Sequence, residues 1–250
     1  MCGRFRLARK KEILEECFGA ECALSPQHAD TRRAGDPDDA EWAARYNVAP
    51  GQQIAVVCQD PIEPVRRLER LRWGLVPWWA KEPTIGYKMI NARAETAAER
   101  PAFGDALLAR RCLVPADGFY EWKREGKQKL PFCFAMADDA VFVFAGLWER
   151  WRSPEGQTLD SCAILTTEPN ELMRNVHDRM PVILPPESYE LWLDPGFHKL
   201  SGLRPLLRTY PAAGMRRYRV SERVNYVQND DAECAAGIGV PSEPGFGLLG

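Results

Sequence analysis

Most apolar residues of this chain fall into short runs that alternate with polar residues or end at Gly, Pro or Asp. Such runs predict β-strands, which cover 54–58, 66–73, 111–122, 131–137, 141–148, 161–165 and 217–220. Apolar residues at helical spacing predict short helices over 11–18, 101–110, 188–193 and 199–207, and a further helix from Thr167 to His177. Many short strands with a few helices between them predict an α+β fold, a single domain built on a curved, barrel-like mixed β-sheet with peripheral helices.

Two of the predicted elements have features that bear on chemistry. The strand over 111–122 contains Pro115 and Gly118, which predict a kink, and beyond it Phe119 and Glu121 are expected to share one face. The helix that begins at Thr167 has a capping hydroxyl, then an acid and a proline in its first turn.

Composition restricts the class of protein. With 250 residues and 45% apolar residues, the chain is long enough for one substantial core. It has no apolar stretch of membrane-spanning length and no signal-like start, so we expect a cytoplasmic protein without membrane contact. The eight cysteines form no C-x-x-C pair and are expected to be reduced, at positions 2, 17, 22, 58, 112, 133, 162 and 234. A formal net charge of −2 argues against a generally basic nucleic-acid binder but allows a local basic groove.

Cys2 is the most unusual candidate. Removal of Met1 would leave it with an α-amine beside its thiol, and about a tenth of such an amine is neutral at pH 7 because its pKa is near 8. A neutral amine forms an imine with an aldehyde, and the neighbouring thiol then closes a five-membered thiazolidine ring. The same pair can instead act as an N-terminal nucleophile on an amide. An inert, reduced cysteine is the simplest alternative.

Several other residues suit proton transfer or anion binding. His177 lies between an acid and an arginine at a predicted helix end, and Glu121 lies among aromatic residues that would raise its pKa by desolvation. Asn91 and Arg93 are two apart, so in an extended segment both project from one face toward a phosphate or sugar oxygen. Each also has an ordinary structural interpretation, as a surface histidine, an edge-strand carboxylate or a loop ion pair.

Three tryptophans fall within the seven residues 73–79, interrupted by Gly74 and Pro77. This composition excludes a regular helix or a central strand and predicts a rigid loop. The tryptophans either belong to the core or stack on unpaired bases. The sequence contains no phosphate-binding glycine motif and no metal-spaced Cys/His set, so no cofactor and no metal are expected.

Six segments together resemble the SOS-response-associated peptidase family, the abasic-site processing proteins that guard single-stranded DNA. In family order they are 1–5, 45–51, 73–79, 90–96, 118–122 and 177–181, with sequences MCGRF, RYNVAPG, WGLVPWW, INARAET, GFYEW and HDRMP. The resemblance covers roughly 2–227. It implies a curved β-sheet fold with a positively charged channel, and a Cys2 that bonds covalently to the aldehyde of an abasic site. The residues it assigns to catalysis are Cys2, Asn91, Glu121 and His177, and those it assigns to DNA binding are Arg4, Asn47, Pro50, Trp73, Trp78, Trp79, Arg93 and Arg179.

The hypothesis is therefore a monomer that binds single-stranded DNA containing abasic sites and forms a thiazolidine crosslink in the DNA damage response, cytoplasmic and associated with the nucleoid. Two alternatives remain, a cysteine N-terminal hydrolase or peptidase and a non-covalent reader of modified bases. Residues 1–228 are expected to form the domain and 229–250 a flexible tail. The polar segment 25–41 carries no assigned function.

Overall fold

The structure, a computed structural model, describes residues 2–22, 42–60, 62–63 and 65–239. The strands in this part of the chain are β1 Phe5–Leu7, β2 Ala20–Cys22, β3 Arg45–Val48, β4 Gln53–Gln59, β5 Arg66–Trp73, β6 Asn91–Arg93, β7 Arg111–Ala116, β8 Gly118–Glu125, β9 Gln128–Met136, β10 Phe142–Arg152, β11 Thr158–Thr167, β12 Met180–Pro181, β13 Ile183–Leu184 and β14 Met215–Arg219. The α-helices are α1 Lys11–Phe18, α2 Gly104–Ala109, α3 Tyr189–Leu193 and α4 Leu200–Leu203. Short 3₁₀ helices cover Pro83–Lys88, Ala97–Glu99, Pro186–Ser188, Arg204–Leu206, Ala212–Gly214, Glu222–Asn225 and Ala232–Cys234.

Five of the strands close into a barrel. In the order β11-β10-β7-β4-β5 neighbouring strands are antiparallel, and β5 then pairs with β11 in parallel, with Arg72 opposite Ser161. Strand β10 is buried from Phe142 to Leu147, as its almost wholly apolar sequence predicts. The α+β fold with a barrel-like mixed sheet and peripheral helices is thus confirmed.

A second, antiparallel sheet in the order β14-β9-β8-β1-β3 packs on the barrel. Its contact is aromatic: Phe5 of β1 lies 5.2 Å from Trp73 and 5.9 Å from Phe144 between ring centroids, and Phe119 of β8 lies 5.8 Å from Phe144. Edge-to-face rings of this kind are stabilising beyond their buried area. The packing of Phe5 in this cluster restricts where the preceding residues, which include Cys2, can lie.

The predicted strand over 111–122 is two strands in different sheets. The break falls at Asp117, whose buried carboxylate accepts a hydrogen bond from the Ala8 amide at 2.9 Å and lies 3.2 Å from the Arg6 guanidinium. A buried carboxylate requires such partners, and these lie beside the second sheet. The chain therefore leaves the barrel at Asp117 and continues as β8 against β1.

The helix predicted from Thr167 is not present. Thr167 ends β11, and residues 171–176 form successive turns. Asn170 takes the capping role instead, because its side-chain oxygen accepts from the Met173 amide at 3.0 Å. Met173 and Val176 are nevertheless buried as expected, so His177 still follows an anchored segment.

The residues after 228 are fastened to the domain as far as the structure describes them. Val220 forms a β-bridge with Gly237, and Cys234 is buried. The division between domain and tail stays a prediction, and residues 240–250 and the whole polar segment 25–41 lie outside the described residues. No helix in the described ranges has both the length and the apolar character to cross a membrane.

Candidate active site

Cys2 is buried at the point where the second sheet meets the barrel. Strand β1 pairs Phe5 with Phe119, and the Tyr120 amide donates to the Arg4 carbonyl at 2.9 Å, which extends the pairing toward the N-terminus. The Cys2 carbonyl in turn accepts a hydrogen bond from Asn91 Nδ2 at 2.8 Å. Cys2 is therefore held from two sides.

Asn91 begins β6, which runs parallel to β11 with Asn91 opposite Ile164. Its side-chain oxygen is buried and has no hydrogen-bond partner among the described residues. Leaving such an acceptor unsatisfied costs about 1–3 kcal/mol. The Asn91 oxygen is thus available to accept a hydrogen bond from an amine or a hydroxyl group beside Cys2.

Glu121 is the acid whose charge acts on the Cys2 thiol. Burial raises the pKa of Glu121 to about 7, and the charge of Asp178 contributes to the rise. Burial also raises the pKa of the Cys2 thiol well above its usual range, with the charge of Glu121 as the second cause. A carboxyl group that titrates near pH 7 can both donate and accept a proton there, whereas the buried thiol is held in its protonated form.

His177 has two contacts that imply different protonation states. Its Nδ1 accepts a hydrogen bond from the Arg179 amide at 3.0 Å, and the same atom lies 3.0 Å from Asp178 Oδ1. The first requires an unprotonated Nδ1 and the second a proton on Nδ1. The side chain of Asp178 is 86% exposed, so its attraction is screened by solvent. Burial lowers the pKa of His177, which agrees with the first state, a neutral ring with its proton on Nε2.

Arg179 and Glu95 form a pair at the edge of the site. Two Arg179 nitrogens donate to the Glu95 carboxylate at 2.9 and 2.7 Å, and one of them also donates to the Thr166 carbonyl at 2.6 Å. Burial alone would raise the pKa of Glu95, but the hydrogen bonds from Arg179 lower it overall. Arg93, in contrast, is exposed.

A groove of about 590 Å³ opens beside Asn91. Its walls carry three cations and two large aromatic side chains, contributed by Lys88, Arg93, Arg100, Trp79 and Phe103. Trp78 is 60% and Trp79 44% exposed. Cations with exposed aromatic rings are the combination that single-stranded nucleic acids bind. Sequence reasoning missed Lys88 and Arg100, because they belong to no motif and only the fold brings them to Arg93.

The loop that carries Trp78 and Trp79 is anchored by a close backbone contact. Gly74 has φ +132°, and a Cβ atom on it would lie 2.7 Å from the Gly86 carbonyl oxygen. A Cβ atom on Gly86 would lie 2.5 Å from the Gly74 carbonyl oxygen. Both residues must be glycine for the backbones to approach so closely. The segment after Trp73 is a loop, as expected, and its rigidity stays a prediction that this contact supports.

Four of the residues expected at DNA do not line this groove. Trp73 is fully buried and its indole N–H donates to the Ile90 carbonyl at 2.9 Å, so it has no surface on which a base can stack. Asn47 is also fully buried, and its side chain accepts from Arg4 at 2.7 Å. Arg4 is half-buried with its guanidinium 5.7 Å from the Trp122 ring, and Pro50 is half-buried at a turn.

Comparison with known proteins identifies the family. The sequence pattern of the family described as "SOS response associated peptidase (SRAP)" matches residues 1–227. The chain belongs to this family. Among its relatives, the abasic site processing protein YoaM of Bacillus subtilis (strain 168) is 49% identical over 93% of this chain and 96% of its own length. The abasic site processing protein YoqW of the same organism is 44% identical over 93% and 98%. The abasic site processing protein HMCES of Gallus gallus is 33% identical over 97% and 80%.

Solved structures agree on the fold of this SRAP-family chain. A protein from Bacteroides thetaiotaomicron superposes with a TM-score of 0.81 at 24% identity, over 93% of this chain and 98% of the other. A protein from Bordetella bronchiseptica superposes with a TM-score of 0.71 at 27% identity, over 88% and 100%. Within the described residues of the SRAP-family chain, no group of three or more His, Cys, Asp or Glu side chains is placed to hold a metal ion.

Proposed function

We propose that this chain processes abasic sites in single-stranded DNA by forming a thiazolidine crosslink through Cys2 after Met1 has been removed. The observation that carries the proposal is the site itself: Asn91 holds the Cys2 carbonyl, and the same residue lines the groove of cations and exposed tryptophan. The relatives named abasic site processing proteins support the class of substrate.

The chemistry starts from a closed sugar. An abasic deoxyribose is mostly a cyclic hemiacetal, and opening it breaks the bond from C1′ to the ring oxygen. The ring oxygen gains a proton and the C1′ hydroxyl loses one, which leaves an aldehyde. A neutral His177 with its proton on Nε2 is suited to deliver the first proton and to regain one afterwards.

Two bond-forming steps follow. The Cys2 amine adds to the aldehyde and water leaves, which gives an imine, and Glu121 is suited to supply and take up the protons of this step near pH 7. The thiol sulfur then bonds to the imine carbon while its proton passes to the nitrogen, closing the ring. Asn91 orients the amine through its buried oxygen. The ring protects the strand, because an aldehyde that has been consumed no longer promotes β-elimination of the 3′ phosphate.

The state of the thiol favours this chemistry over a cysteine peptidase. A peptidase nucleophile is a thiolate, which requires a lowered pKa. Burial raises the pKa of Cys2 instead. A protonated thiol suits a route in which the amine attacks first and sulfur adds last, with the proton retained for the ring nitrogen.

The first test uses Cys2 variants. The protein with its native terminus is expected to form a denaturant-resistant adduct with abasic single-stranded DNA without a reducing agent. Cys2→Ala should abolish this adduct, and Cys2→Ser should leave at most an imine that borohydride traps. Cys162→Ala is the matched control, since that thiol is also buried and has a raised pKa. A stable adduct with Cys2→Ala would overturn the assignment.

The second test blocks the amine. A protein that retains Met1, or carries a tag before Cys2, keeps the thiol and lacks the primary amine beside it. Thiazolidine formation should then be lost entirely, because the ring nitrogen is that amine, while a thiol-only nucleophile would lose little. An intact mass defines the terminus, and a gel time course follows the adduct. Equal rates for blocked and unblocked protein would replace the aminothiol mechanism by a thiol enzyme.

A further inference from the structure

The segment 221–235, which we name the C-terminal clasp, packs beside the N-terminal strand. It contains two 3₁₀ helices, Glu222–Asn225 and Ala232–Cys234, and its second half lies beyond the residues that match the family pattern. Val224 and Cys234 are buried together with Tyr120 of β8 in a small apolar cluster. The clasp is therefore an ordered part of the domain on the side where β1 and β8 pair.

Asp230 fastens the clasp to β3. Its Oδ1 accepts hydrogen bonds from the Tyr46 amide at 2.5 Å and the Asn47 amide at 2.8 Å, and its Oδ2 accepts one from Arg45 Nε. A carboxylate that receives several charge-assisted or backbone hydrogen bonds is a strong anchor. One side chain thus binds three consecutive residues of β3.

Asn47 connects the clasp to Arg4 near the N-terminus. Its fully buried Nδ2 donates to the carbonyls of Val224 at 3.2 Å, Tyr226 at 3.1 Å and Asn229 at 2.6 Å. Its Oδ1 accepts from Arg4 at 2.7 Å, and the same Arg4 nitrogen donates to the Val224 carbonyl at 2.6 Å. The Arg4 guanidinium is therefore fixed jointly by β3 and the clasp.

Arg4 is two residues from the nucleophile. Its carbonyl accepts a hydrogen bond from the Tyr120 amide at 2.9 Å. The backbone of Arg4 is therefore fixed by β8 while its side chain is held by β3 and the clasp. A displacement of Arg4 would move Cys2, because only Gly3 separates the two residues.

We infer that Asp230 is a positioning residue for the Cys2 reaction, acting through Asn47 and Arg4, and that the C-terminal clasp is part of the active domain. This inference rests on the proposed function, but its structural half can be tested without DNA. It assigns a role to residues that the family pattern does not reach.

The experiment compares Asp230→Ala with Glu155→Ala. The control removes one carboxylate from the exposed turn between β10 and β11, outside the clasp. Two quantities are measured on each protein: the first-order rate of adduct formation at saturating abasic DNA, and the affinity for the same strand without an abasic site. We expect Asp230→Ala to slow the covalent step about 10- to 100-fold, the scale on which misplaced reactive groups act. Its affinity should stay within about twofold, as should both quantities for Glu155→Ala.

A second measurement needs no DNA. Backbone amides of residues 3–6 should exchange hydrogen faster in Asp230→Ala than in the wild type and Glu155→Ala, with unchanged protection in the barrel strands. If Asp230→Ala does not fold, Asp230→Asn carries the test, because it keeps one oxygen for the two amides and loses the charge that binds Arg45. Unchanged exchange at residues 3–6 and an unchanged covalent rate would overturn the inference. A wild type that forms no adduct would instead overturn the proposed function, and the exchange measurement would still decide the positioning.

Discussion

At the scale of single residues, the site depends on burying two acidic groups next to each other. A thiol and a carboxyl group that are both desolvated prefer their protonated forms, and each charge would raise the pKa of the other group. Burial raises the pKa of both Cys2 and Glu121, and the charge of Glu121 adds to the rise at Cys2, so that Glu121 titrates near pH 7 and the thiol far higher. The carboxyl group is therefore the one of the two whose protonation changes near neutral pH.

We predict that this titration controls the rate of adduct formation. If Glu121 moves the protons of imine formation, the pH–rate profile of the wild type should contain an inflection near pH 7 that is missing in Glu121→Gln. The variant should also be slower by about 10²–10⁴-fold, the usual contribution of a general acid or base. Single-turnover rates measured from about pH 5.5 to about pH 8.5 span the inflection. An inflection that persists in Glu121→Gln would assign it to another group, with His177 the next to test.

Glu121 should also make stability depend on pH. Its folded pKa of about 7 lies above its unfolded value, so between the two the folded state binds more protons than the unfolded state. The free energy of unfolding therefore decreases as pH rises through this window, at up to about 1.4 kcal/mol per pH unit. Relative to wild type, Glu121→Gln should gain stability above pH 7, as measured by urea unfolding at about pH 5 and about pH 8. An identical pH dependence in the two proteins would contradict the burial argument.

Sequence reasoning reached some of these residues and not others. Desolvation of Glu121 follows from the aromatic residues around it, and the structure has the predicted rise in pKa. The three tryptophans of 73–79 are chemically alike, so sequence does not separate buried Trp73 from exposed Trp78. The distinction arises because β5 runs through Trp73 and the loop begins only after it.

At the scale of elements, a contact between two glycines positions the loop that carries Trp78 and Trp79. Gly74 and Gly86 touch backbone to backbone, and the segment 83–88 thereby supports the loop. The composition of the loop predicted rigidity but not its partner. Sequence composition likewise does not show which partner a segment pairs with, and this is why the helix predicted from Thr167 is absent. Strand β11 extends to Thr167, and Asn170 caps the turns that follow.

We predict that Gly86→Ala disturbs DNA binding through the loop. The new Cβ atom would lie 2.5 Å from the Gly74 carbonyl oxygen, so one backbone must move, at a cost of about 1–3 kcal/mol. Thermal unfolding should show a lower Tm, and the affinity for single-stranded DNA should fall as Trp78 and Trp79 shift. Gly196→Ala is the control, since its nearest neighbour would be the end of the Asp194 side chain at 3.3 Å. Equal Tm values for the two variants would contradict the close approach.

At the scale of the whole molecule, charge is distributed unevenly. The formal net charge is −2, yet Lys88, Arg93 and Arg100 line one groove beside Asn91. The net charge counted from the sequence argues against a generally basic protein but does not locate a basic groove. The three cations are separated along the chain, and only the fold brings them together. A locally basic groove on a weakly acidic protein attracts a polyanion to that groove more than to the rest of the surface.

The salt dependence of binding tests this arrangement. Each phosphate neutralised on a single strand contributes about −0.7 to the slope of log Kobs against log salt. Arg100→Ala removes one groove cation, so its slope should be shallower than that of the wild type by about 0.7 if Arg100 contacts one phosphate. Lys199→Ala is the matched control, since it removes the same charge from a position outside the groove and should leave the slope unchanged.

The same titrations compare an unmodified single strand with the corresponding intact duplex at several salt concentrations. They give both the slopes and the preference between the two forms of DNA. We expect weaker binding to the duplex, because paired bases cannot stack on Trp78 and Trp79. Equal slopes for Arg100→Ala and Lys199→Ala, or equal affinity for duplex and single strand, would place the DNA somewhere other than this groove.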